Sequence, residues 1–157
     1  MKNKKLLKLL DEARYYHNYS CEEDKALKIC NKILKEEPEN RDALLVKAGS
    51  LSCINKEKEA YNLINKIIKK WPNHWEAYYL MGLLLFNTNE DLAMENFIKS
   101  IKLEKNFNNT IAMAQLAYFL HQPNYEKYLE DAKEIDYKRY KNYIANYWEW
   151  EELELPY

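Results

Sequence analysis

The chain predicts an all-α protein built as a stack of antiparallel helix pairs, and three observations carry the prediction. Of its 157 residues only 2 are glycine and 4 are proline, too few to punctuate the tight hairpins and corners of sandwiches and barrels. Pro38 and Pro72 stand 34 residues apart, each after a run of helical periodicity ending in Lys or Glu. Apolar residues recur on the same 34-residue offset, so that Ala26, Ile29, Cys30 and Ile33 are answered by Ala60, Leu63, Ile64 and Ile67. Spacings of three and four put each set on one helical face, and a fixed period of this length marks a repeat.

The elements follow in order. The first repeat occupies about residues 5–40. Its second helix should open near Cys21, where Ser20-Cys21-Glu22-Glu23 has the serine-to-glutamate spacing of a capping box. It should stop before Pro38, because proline cannot extend a helix and biases its predecessor away from helical angles. Asn40 is then placed to cap the next helix, which begins the second repeat at residues 41–74. That repeat ends with the same device, Lys69-Lys70-Trp71-Pro72-Asn73, which offers Asn73 as a cap. The third repeat, residues 75–107, starts with a helix from Trp75 to Phe86 that is apolar almost all round, as expected of a helix covered on both sides. A weaker fourth repeat at 108–136 has Ile111, Ala114, Gln115 and Tyr118 in its first helix, with Pro123 opening its second at the first turn. Residues 137–155 read as one amphipathic helix with Tyr137, Tyr140, Ile144, Tyr147 and Trp148 on a wide aromatic face.

The third repeat carries a family resemblance. Trp75-Glu76-Ala77-Tyr78-Tyr79-Leu80-Met81-Gly82, followed by Ala93, Phe97 and Ser100, resembles the tetratricopeptide pattern of an aromatic, a glycine four positions on, and Ala-x-x-x-Phe-x-x-small in the second helix. It departs from that pattern in a turn around Asn87-Thr88-Asn89 that is one residue short, and in Lys105, which stands where the terminal proline would be. The resemblance covers about residues 5–136, strongly from 41 to 105. Arg14 replaces the glycine in the first repeat, in keeping with the atypical terminal units of a solenoid. It implies a right-handed superhelical stack of helix pairs, one domain over residues 1–157, with the last helix shielding the fourth repeat.

Composition bounds the function. Lys+Arg total 24 against Asp+Glu 25, so no net positive field favours nucleic acid. No segment approaches the roughly 20 apolar residues that span a bilayer, and the leucines of the first ten residues never form the apolar run of a signal peptide. A cytoplasmic location is expected. Cys21, Cys30 and Cys53, at spacings of 9 and 23, lack the paired short spacings of zinc sites and read as reduced, buried thiols. His17 lies four residues before Cys21, but a metal site needs three or four convergent ligands and no further pair is near in sequence, so no metal and no cofactor are expected. The chain has no phosphate loop, nucleophile elbow or His-Glu-x-x-His helix, and its three histidines fall in different repeats, so no catalytic residue is assigned.

What remains is binding. The resemblance implies that the first helix of each pair lines a groove for a peptide or helix of a partner protein. Projected onto this chain, the groove positions are Tyr15 and Tyr19, Leu45 and Ser52, Tyr79, Leu83 and Phe86, and Leu116 and Phe119. The implied groove is apolar and aromatic, suited to an apolar segment of another protein. It lacks the lysines and asparagines of the relatives that clamp acidic carboxyl termini, since Asp11 and Tyr15 occupy those places. A self-assembling module, paired as a homodimer through the aromatic C-terminal helix, is the main alternative. A helical-repeat RNA reader and then an enzyme rank below it. Lysines crowd the first eight residues, while Glu149, Glu151, Glu152 and Glu154 crowd the last nine, and both runs read as solvated termini.

Overall fold

The computed structural model describes residues 2–147, and among them helix is the only regular structure. The helices are α1 (Lys2–Tyr15), α2 (Glu23–Glu36), α3 (Arg41–Cys53), α4 (Glu57–Lys70), α5 (Trp75–Leu85), α6 (Glu90–Leu103), α7 (Phe107–Phe119), α8 (Tyr125–Ile135) and α9 (Tyr137–Tyr147). A π-helical turn, Tyr16–Ser20, follows α1. No helix among the described residues is long and apolar enough to cross a membrane. Trp148 and the glutamates at 149, 151, 152 and 154 lie outside the described residues.

The chain divides into two compact units, residues 1–103 and 104–157. In the first unit the stripes of α1, α2 and α3 meet in one core of Leu6, Leu10, Ala13, Cys30, Ile33, Ala43 and Val46. The other side of α3 builds a second core with α4 and α5, from Leu45, Ala48, Ile64, Ile67, Ala77 and Met81. A central helix must therefore be apolar on two faces. α3 shows this in its sequence, because Leu45 and Val46 are adjacent yet bury into different cores. Ile33, Ile64 and Ile67 are almost wholly enclosed, and each such side chain contributes roughly 1.5–3 kcal/mol of burial. The pair α5 and α6 closes on Gly82. A Cβ there would lie 2.5 Å from the Phe97 ring, and Phe97 is fully buried.

In the second unit α7, α8 and α9 share a core of Phe107, Ile111 and Ala132, covered by Leu129, Tyr140 and Tyr143. Arg139 of α9 lies 4.4 Å over the Phe107 ring and donates from Nη2 to Asn108 Oδ1 at 2.6 Å. The packed tyrosines are thus Tyr140 and Tyr143, whereas Tyr137 is 63% exposed. Of the aromatic face expected on this helix, Tyr140 packs on the core and Tyr137 does not, while Tyr143, outside the expected set, joins it.

Helix ends are set locally, and three of them correct the sequence reading. Asn40 caps α3, its side chain accepting from Ala43 N at 3.0 Å. Asn73 does not cap α5. In both repeats the cap falls two residues after the proline, and that place is held by Asn40 in one and His74 in the other. Pro123 lies in the turn before α8, whose N-cap is Asn124. The capping box at Ser20 is not formed either: Ser20 Oγ donates to Glu22 Oε1, Glu22 holds the N-cap position, and α2 begins at Glu23. The reason is the π-helical turn, which carries helical backbone through Ser20 and then reverses at Cys21, with φ of 51°. α7 has a true reciprocal box, in which Asn106 accepts from Asn109 N and Asn109 Oδ1 accepts from Asn106 N.

Candidate functional site

The π-helical turn decides the most distinctive geometry of the first unit. Such a turn widens the helix by one residue and re-aims the side chains beyond it. Here it delivers His17 onto α3, where the imidazole lies on Gly49; a Cβ at that glycine would come within 2.7 Å of His17 Nε2. His17 Nδ1 is 3.0 Å from Glu23 Oε2 and 3.4 Å from Ser50 Oγ. Glu23 is only 9% exposed, so a carboxylate in the first turn of α2 is enclosed and satisfied by a partner from another element. The Cys53 thiol, at the end of α3, also reaches Glu23. The residue is exposed, but partial desolvation of its sulfur pushes the pKa up to about 11, with the Glu23 charge and hydrogen bond adding to the rise.

The cysteines do not share one environment. Cys30 is buried in the first core and its thiol is pushed up to about 11 by that burial, the state of an inert structural thiol. Cys21 and Cys53 are exposed, contrary to the expectation of three buried thiols. Their positions explain it: one follows the π-helical turn in the left-handed region, the other is the last residue of α3.

Beside His17 lies a pocket of about 120 Å³ whose apolar wall is Ala48, Ile64, Leu80 and Leu83, with Ser52 and Cys53 also at its lining. Two of the projected groove positions, Ser52 and Leu83, are therefore brought to one pocket. Tyr15 and Tyr19 stand exposed on the first repeat with their rings 6.1 Å apart. Tyr79 and Phe86 are half-buried and both flank the Phe97 ring, at 6.2 and 6.4 Å. Leu45 is 2% exposed, inside the core of α3, α4 and α5. In the second unit Leu116 is fully buried and Phe119 is exposed. The charged residues near the pairing of α1 with α3 are matched: Arg14 Nη2 meets Asp42 Oδ2 at 3.3 Å. Half-buried Glu76 has its pKa raised by burial, opposed by the Arg14 charge.

No protein-family model and no curated protein sequence matches this chain. Solved structures do. A thermophilic TPR protein of Thermus thermophilus superposes with a TM-score of 0.75 at 13% identity, over 90% of this chain and 83% of that one. The fold is tetratricopeptide-like. MamA superposes with a TM-score of 0.63 at 19% identity, over 87% of this chain and 81% of its own. A MamA from Desulfovibrio magneticus gives 0.60 at 17% identity, over 90% and 77%.

Within this tetratricopeptide-like chain the resemblance residues of the third repeat take the roles their sizes suggest. Gly82 lies against the Phe97 ring, and Ala93 and Ser100 are buried on the same helix as Phe97. Sequence reasoning missed the meeting of His17 with Glu23 and Cys53. Its one visible trace was Gly49, a second glycine in a chain that has only 2. Of the aromatic C-terminal helix on which self-assembly was placed, the side chains of Tyr147 and Trp148 lie outside the described residues.

Proposed function

We propose that this chain is a protein-interaction scaffold whose first unit receives a short apolar or aromatic segment of a partner protein. The observation that supports it most is the pocket at Leu83 and Ser52. Its wall is aliphatic, and Leu83 beside it is 41% exposed, an apolar surface left for a ligand rather than for the core. Exposed Tyr15 and Tyr19 extend the apolar surface on the first repeat. Aromatic and aliphatic anchors in a preformed hollow are the usual carriers of binding energy, because they bury much area for little lost conformational freedom. The mechanism is burial of a partner's apolar residues, with no chemical step.

Affinity capture with the purified chain, followed by titration of the recovered partner, tests this reading. Leu83→Asp should weaken binding at least about tenfold, since it puts a charge against an aliphatic wall. Tyr19→Ala should weaken it less, while Tyr137→Ala, on the second unit, should leave it unchanged. Circular dichroism of each variant separates lost binding from lost fold. Equal capture by wild type and Leu83→Asp removes the pocket from the binding surface.

A further inference from the structure

We propose that His17, Glu23 and Cys53 form a binding site for a zinc ion at the rim of the apolar pocket, an assignment that does not rest on the partner-binding reading. One ligand atom from each of the three, imidazole nitrogen, carboxylate oxygen and thiol sulfur, lies within 4.8 Å of the other two. Tetrahedral zinc with bonds of about 2.0 Å to nitrogen and oxygen and about 2.3 Å to sulfur needs its ligands about 3.3–3.5 Å apart. His17 Nδ1 and Glu23 Oε2, at 3.0 Å, need to part by only a few tenths of an ångström.

The donor set selects the metal. Mixed nitrogen, oxygen and sulfur donors suit zinc, whereas calcium and magnesium take oxygen ligands. The three residues come from three elements, the π-helical turn, the first turn of α2 and the last residue of α3, separated by 6 and 30 positions in sequence. Such convergence is what a helix-only pattern lacks, and it follows from two backbone features. The π-helical turn carries His17 across, and Gly49 leaves the space its ring occupies. Ser50 Oγ, 3.4 Å from Nδ1, gives the imidazole a further polar neighbour. His17 and Cys53 both border the 120 Å³ pocket, which leaves room for water as the fourth ligand.

On binding, the Cys53 S–H bond breaks, its proton passes to solvent, and the thiolate, the Glu23 carboxylate and the neutral His17 nitrogen share the ion. No oxidant or reductant takes part. The ion would tie the start of α2 and the π-helical turn to the end of α3.

The test uses the full, reduced, metal-free chain titrated with Co²⁺ and then displaced with Zn²⁺. One Co²⁺ per chain is expected, with a thiolate-to-metal absorption in the near ultraviolet and the visible bands of tetrahedral cobalt, all bleached by Zn²⁺. Cys53→Ser, an exposed near-isosteric change that leaves the cores intact, should abolish the thiolate band and weaken binding at least about tenfold. His17→Asn should weaken it comparably, and Cys21→Ser should retain both band and affinity. Absence of the band in wild type, its persistence in Cys53→Ser, or its loss in Cys21→Ser alone overturns the assignment.

Discussion

Gly82 shows how much one missing methyl group carries. A Cβ there would meet Phe97 Cε1 at 2.5 Å, Cδ1 at 2.6 Å and Cζ at 2.9 Å, and that ring is fully buried with no free direction of retreat. Gly82→Ala returns up to about 1 kcal/mol of helix propensity, but overpacking costs more, so a net loss of about 1–2 kcal/mol is expected from urea denaturation. A second residue-scale prediction concerns Glu76. Burial raises its pKa above the ordinary 4.5, so the folded chain binds this proton more tightly than the unfolded chain does. The linkage then runs one way: this contribution favours folding at low pH and is lost as pH rises from about 4.5 through the folded value. Glu76→Gln should therefore melt higher than wild type at pH 7, with the gain vanishing near pH 4. A constant offset across that range would mean the carboxylate is not the cause. Gly82 was legible in sequence because its partner Phe97 belongs to the repeat pattern, whereas Glu76 gave no signal, since its burial, and with it the nearness of Arg14 and Asp42, is set by other helices.

At the scale of elements, the ends of helices separate what local sequence decides from what geometry decides. Asn106 accepts from both Asn108 N and Asn109 N, and Asn109 is fully buried with its Nδ2 donating to Glu104 O at 2.7 Å. Asn106→Ala should cost about 1 kcal/mol, measured as a shift of the urea midpoint, and Asn109→Ala more, about 1–3 kcal/mol, because a fully buried side chain is lost together with its bonds to the Asn106 and Glu104 backbone. Equal small effects would show the box to be solvent-satisfied. The Asn40 cap was readable from its place after Pro38. The shift from Asn73 to His74 was not, since the cap is defined by where the backbone turns rather than by which nearby residue caps best. Ser20 failed for a related reason: a π-helical turn consumed the residues a capping box needs, and five residues of Tyr-His-Asn-Tyr-Ser show no pattern that announces it.

On the scale of the whole molecule, these cores are short-range assemblies, each built from three helices consecutive in sequence. Stability in such arrays is a sum of local units and their neighbouring interfaces. Ile111→Ala, which removes a nearly buried side chain from the core of α7, α8 and α9, should cost about 2–5 kcal/mol locally. Hydrogen exchange should then quicken in those three helices and stay unchanged in α2 and α3. Uniform acceleration along the chain would mean that folding is cooperative across its whole length. The proposed binding surface obeys the same locality, with its pocket confined to the first unit.

The sequence by itself determined the helical class, the 34-residue period and the stripes that pair each helix with its neighbour, because these depend on residues three, four and thirty-four positions apart. Which faces remain open was decided only in three dimensions. Leu45 and Leu83 are both apolar, projected groove residues, yet one is 2% exposed and the other 41%, since α3 lies between two cores and Leu83 borders a pocket. The meeting of His17, Glu23 and Cys53 belongs to the same class. Periodicity reports a residue's own helix and face, while a contact across 30 positions depends on how the π-helical turn and Gly49 bring separate elements together.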